Sequence, residues 1–99
     1  MAPESSGPLK LNGRNYSYWK ARMAGYLEAL HTICWEVIEK PIVGAWNEDQ
    51  NKYHARAKNT LFDALSEEIF ARVHSKKTAH EIWKELETIH VGSIKLVET

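Results

Sequence analysis

"NYSYWKARMAGYLEAL", residues 15–30, sets Tyr16, Tyr18 and Trp19 among Lys20 and Arg22, and its reading decides the fold. Rings interleaved with bases make either a stacking platform for nucleotides or the opening of a helix that buries its rings. At about 100° per residue, Tyr16, Trp19, Met23, Tyr26, Leu27 and Leu30 fall within roughly 50° of one direction. Such a stripe is the core-facing side of an amphipathic helix. Tyr18 points nearly opposite, and Lys20 and Arg22 lie on the flanks, so the cations do not converge on the Trp19 ring. Tyr18 and Arg22, four apart, are the pair placed to form an exposed cation–ring contact. Asn15 or Ser17 is expected to cap this helix.

Before the helix, "PLKLNG" alternates Leu9 and Leu11 around Lys10 and ends in an Asn12-Gly13 turn. This pattern predicts a short extended piece pinned to the core, with residues 1–8 as a flexible tail. After it, "ICWEVIEKP" predicts a second helix ended by Pro41, with Trp35 and Ile38 inward. "PIVGAW" reads as a loop. Asn47 then caps a third helix, with Glu48 and Asp49 in its first turn. Tyr53, Ala57, Thr60, Leu61 and Ala64 line one face of it, and Phe62 and Leu65 widen the apolar arc, which suits the centre of a bundle. Ser66 caps a fourth helix carrying Ile69, Phe70 and Val73. Thr78 and Glu81 make a capping box for a fifth, whose Ala79, Ile82, Trp83, Leu86 and Ile89 share a face and whose C′ residue is expected at Gly92. The expected fold is all-α: a compact bundle of about five helices over residues 9–99, with a short extended N-terminal segment. Its structural core is expected at Tyr16, Trp19, Met23, Leu27, Trp35, Tyr53, Leu61, Leu65, Ile82, Trp83 and Leu86.

The bulk composition agrees with one such domain. A chain of 99 residues with 43% hydrophobic content and four Trp is too apolar to stay disordered. It is long enough to bury roughly 60–65% of its unfolded surface. No apolar run approaches the ~18 residues of a membrane helix, so no membrane is expected. Thirteen basic residues balance thirteen acidic ones. The first thirty residues have only a small basic excess, Lys10, Arg14, Lys20 and Arg22 over Glu4 and Glu28. A phosphate-binding domain normally shows a concentrated positive stripe instead. The lone Cys34 and the polar, breaker-rich opening "MAPESSGP" predict a reducing, cytoplasmic setting.

Chemistry-bearing constellations are sparse. His31 and Cys34 are three apart, but no second pair follows at zinc-site spacing, and His54, His74, His80 and His90 fall in different elements. Glu81 and Glu85 lie beside Lys84 on a polar helix face. The glycines are isolated, with no phosphate-loop spacing. Neither a catalytic set, nor a metal site, nor a cofactor is indicated.

Four blocks in order, "LNGRNYSYWKARMAGYL", "CWEVIEKP", "AKNTLFDALSEEIFARV" and "KTAHEIWKELETIHVGS", closely resemble the N-terminal Gag segment of plant copia-type LTR retrotransposon polyproteins. The resemblance spans residues 9–99. It rests on Gly13, Asn15, Tyr16 and Trp19, then Trp35, then Ala64, Leu65, Ser66 and Glu67, and finally Thr78, Ala79, Ile82, Trp83, Leu86 and Gly92. It implies a lobe like those of retroviral capsids, within a polyprotein whose copies assemble around the element's RNA. In that family RNA is held mainly by a zinc knuckle of CxxCxxxxHxxxxC type, which this chain lacks, so RNA would be engaged only indirectly.

Function is then expected on exposed faces. The expected partner is a second copy of the chain in a weak homo-oligomer, or another protein where a host has captured the module. Candidate contact residues are Leu9, Leu11, Arg14, Tyr18 and Arg22 near the N-terminus, and Ile42, Val43 and Trp46 in the loop. A monomeric module that recognises a specific protein or peptide is the alternative. Weak RNA binding through Tyr18, Arg14, Arg22 and Lys20 is a third reading.

Overall fold

The computed structural model describes residues 9–41 and 43–98, with side chains through residue 90. The expected tail at residues 1–8 and the candidate contact residue Ile42 lie outside the described residues. Five helices follow in order: α1 (Tyr16–Leu30), α2 (Thr32–Glu39), α3 (Glu48–Asp63), α4 (Glu67–Val73) and α5 (Ala79–Glu98). The all-α bundle expected from the periodicity is therefore the fold, and no helix among the described residues is long and apolar enough to cross a membrane.

Local chemistry sets most helix ends. Asn47 and Gln50 form a full capping box at α3: Asn47 Oδ1 accepts the Gln50 N–H (2.7 Å) and Gln50 Oε1 accepts the Asn47 N–H (2.9 Å). Ser66 Oγ accepts the Ile69 N–H at 3.4 Å. At α5 the Thr78 hydroxyl accepts the Glu81 N–H (3.1 Å), while the Glu81 carboxylate reaches one residue beyond the box, to the Lys77 N–H (3.0 Å). Lys40, immediately before Pro41, turns extended and ends α2, because the proline ring disfavours a helical conformation in the preceding residue.

Two ends differ from expectation. Asn15 precedes α1 but makes no side-chain cap. Its Oδ1 accepts the Asn12 N–H (3.1 Å) and its Nδ2 donates to the Lys10 carbonyl (3.0 Å), clamping the turn at Gly13, whose φ of +90 favours glycine. Gly92 does not close α5, which continues to Glu98. A single glycine costs a helix only about 1 kcal/mol relative to alanine, and no proline follows to remove the next bond.

The core gathers around α2, whose Cys34, Val37 and Ile38 are buried and which packs on α1, α3 and α5. This corrects the expectation that α3 occupies the centre. Of α3, only His54, Ala57 and Leu61 are buried. Phe62 turns to Phe70 of α4 (centroids 5.0 Å apart), and Leu65 lies beyond the helix. α1 contributes Tyr16, Trp19, Met23 and Leu27, as the stripe predicted, whereas Tyr26 at its edge is exposed. Trp83 of α5 lies 5.6 Å from both Trp19 and Trp35, edge-on to the latter. Ile82 and Leu86 are fully buried beside it, while Trp35 and Tyr53 are only partly buried against the cluster.

The extended segment is pinned as expected, by backbone hydrogen bonds. The Leu11 N–H donates to the Ala64 carbonyl (2.7 Å) and the Leu11 carbonyl accepts the Ser66 N–H (3.1 Å), giving a parallel bridge to Leu65. Lys10 Nζ reaches the Asp63 carbonyl at 2.8 Å, placing a cation at the negative end of the α3 dipole.

Candidate functional site

One open groove of about 700 Å³ is walled by the segment before α1, the start of α1, α4, and residues 89 and 90 of α5. Its shape follows from the links just described. The Asn15 clamp holds Gly13 and Arg14 out from the body, and the bridge through Leu11 brings that turn beside the start of α4.

One side of the groove is aromatic. Tyr16 stacks on His90 with centroids 4.6 Å apart and planes 2° from parallel, and His90 Nδ1 donates to the Leu86 carbonyl (2.8 Å). Burial, with Glu87 adding a smaller electrostatic push, raises the Tyr16 hydroxyl pKa to about 12, so this phenol is a neutral wall and not a base at physiological pH. Tyr18 stands at the mouth with 62% of its surface exposed. Ile69 of α4, itself buried, also lines the groove. Arg14 and Arg72 approach from the two walls, with Glu68 one turn from Arg72.

The expected contact residues fare unequally. Arg14 and Tyr18 are brought together in the groove, and Leu9 and Arg22 are exposed outside its lining. Cation–ring pairs among the described residues form at Lys20 with Tyr16, Lys52 with Tyr53 and Lys58 with Phe62. Arg22 therefore does not cover Tyr18. Leu11 is corrected outright: it is fully buried and bridged to Leu65, so it cannot be a contact surface. Val43 is 92% exposed, whereas Trp46 is half-buried, its ring edge-on to His54 at 4.3 Å. Sequence reading missed Glu68, Arg72 and His90. Their exposed or flanking positions on separate helices carry no local signal that they share a wall with residues 12–18.

The histidines and the cysteine have structural partners. His31 Nδ1 accepts the Ile33 N–H at 3.1 Å as the cap of α2, and its ring stacks on Tyr53 at 3.8 Å. His54 Nε2 accepts the Ala79 N–H at 2.9 Å, and His80 Nδ1 donates to the Ile38 carbonyl at 2.9 Å. His74 stacks on Phe70. Cys34 is buried against the Tyr53 carbonyl, and burial raises its thiol pKa despite an opposing pull from Arg56. Among the described residues no three His, Cys, Asp or Glu side chains converge as metal ligands would. The Glu85 and Glu87 carboxylates pair with Lys76 (3.9 Å) and with Lys84 (3.1 Å) and Lys20 (3.7 Å) on partly exposed faces. The hydrogen bond from Lys84 is the main reason that the Glu87 pKa is lowered. The groove thus sets the exposed Tyr18 ring and two guanidinium groups beside a single carboxylate.

Comparison of the chain with models of known protein families, with curated proteins and with solved structures finds no match.

Proposed function

We propose that the chain is a non-enzymatic lobe of the Gag capsid type, as in copia-type retrotransposons of plants, whose work is protein–protein association. One observation carries this reading: most of the residues on which the resemblance rests serve the scaffold. Tyr16, Trp19, Leu65, Ala79, Ile82, Trp83 and Leu86 are buried, Ser66 and Thr78 cap helices, and Gly13 and Asn15 shape the turn before α1. A residue set that specifies a brick, with a groove and an exposed loop left for contact, suits a protein whose copies meet through weak, repeated contacts. Multivalency turns modest single affinities into stable shells. On this reading the protein acts in the cytoplasm, and RNA is held by other parts of a longer polyprotein. Dynamic light scattering at rising protein and salt concentration tests it: growth in mean size with concentration is expected, and a strict monomer throughout would remove self-assembly.

The groove favours a second reading, a monomeric module that binds a peptide of one specific partner. Affinity capture that recovers one protein at fixed stoichiometry, from a chain that stays monomeric, would select it.

A further inference from the structure

We infer that the groove is filled by residues 43–49 of a second copy of this chain, giving a head-to-tail contact in which Glu48 and Asp49 face Arg14 and Arg72. This rests on the self-association proposed above and names its two surfaces.

Charge is the first argument. The ion pairs among the described residues join Lys20 and Lys84 to Glu87, and Lys76 to Glu85. Arg14 and Arg72 on the groove, and Glu48 and Asp49 at the start of α3, take part in none of them, and all four are exposed. The groove holds two guanidinium groups against the single carboxylate of Glu68, and residues 43–49, the loop with the first two residues of α3, hold two carboxylates and no cation. On the apolar side, Val43 is 92% exposed five residues before the acidic pair, and the groove offers the 62% exposed Tyr18 beside its arginines.

Distance is the second. Trp46 rests on His54, which holds the first residue of α5, so the loop lies at the start of that helix. The groove reaches α5 at residues 89 and 90, ten residues on from Ala79 or about 15 Å along the axis. Likewise Glu48 begins α3, whereas Leu11, next to the groove, is bonded to Ala64 past its far end, about 24 Å away for a helix of 16 residues. A chain cannot fold its own loop into its own groove. Each copy instead presents a loop at one end and a groove at the other, a heterologous arrangement that propagates into rings or open chains. An RNA strand fits these features less well, because Glu68 sits among the arginines and the chain as a whole is neutral.

The test is charge exchange read by sedimentation equilibrium. Arg14→Glu with Arg72→Glu, and separately Glu48→Lys with Asp49→Lys, are each expected to raise the self-dissociation constant about tenfold or more, since two attractive pairs become repulsive. Mixed in equal amounts, the two variants are expected to recover association near the wild-type level, each supplying the surface that fits the other. All four positions are exposed, so both variants are expected to keep the fold by circular dichroism, with a small loss of stability where lysines replace carboxylates at the positive end of the α3 dipole. Wild-type association is expected to weaken with salt, a readout that needs no variant. Wild-type self-association indifferent to both variants and to salt would overturn this contact while leaving the wider reading intact. Failure of the mixture to recover would overturn it too, as would arginine-dependent retention of a single-stranded RNA oligonucleotide with association unaffected. A wild-type chain that never associates would remove both.

Discussion

The Ala79 N–H, the first of α5, donates to Nε2 of the buried His54 at 2.9 Å. An imidazole that accepts there must be neutral, and it fills the place of one orphan-satisfying group at a helix start. Protonation would turn the acceptor into a donor facing another donor, beside Lys58. Burial, and secondarily Lys58, lower the His54 pKa below its ordinary 6.5. The unfolded chain therefore takes up the proton first as pH falls. The contribution of this group is complete above pH 6.5, declines as pH drops from there through the lowered folded value, and levels off below it. Urea melts at about pH 7.5 and about pH 5.5 are expected to show a larger loss of stability on acidification for wild type than for His54→Gln, in which this site cannot titrate. Equal losses would contradict the assignment.

Leu11 joins the N-terminal segment to the α3–α4 junction both by its backbone and by a fully buried side chain. Leu11→Ala keeps the backbone bonds and removes the packing, so a loss of about 2–5 kcal/mol in urea-derived stability is expected. Leu9→Ala, two residues earlier and 40% exposed, is expected to change stability far less, by about 0.5 kcal/mol or under. Similar costs for the two would mean the segment is held by its backbone alone.

Trp83 stands between Trp19 and Trp35 and retains only 8% exposure. Trp83→Ala is expected to cost about 3–5 kcal/mol, a large share of the total stability of a small domain. Unchanged thermal melting would show that the contact of α1 with α5 does not hold the bundle.

Helical periodicity was enough to place all five helices and most of the core, because the stripes through Trp19 and Trp83 are local patterns. What it could not supply was the set of contacts made across long separations. Leu9 and Leu11 alternate in sequence, but which of them faces protein depends on Leu65, 54 positions away. His54 shares a face with Ala57 and Leu61, a sign of burial that was there to be read, yet its partner Ala79 lies 25 residues on. Of the groove's wall, Arg14 and Tyr18 stand out in sequence as contact candidates, whereas Arg72 and His90, on separate helices, do not. At Gly92 the reading failed for a different reason: a glycine permits a helix to end without obliging it to.

The claim that the outer faces of this bundle carry its function, by binding further copies of the chain, is tested most directly by amide NMR spectra recorded on dilution from millimolar to micromolar protein. Shifts that change with concentration are expected at residues 12–18, 43–49 and 68–72, with the amides of Met23, Val37 and Leu86 unmoved. Spectra that superimpose over the whole range would contradict it.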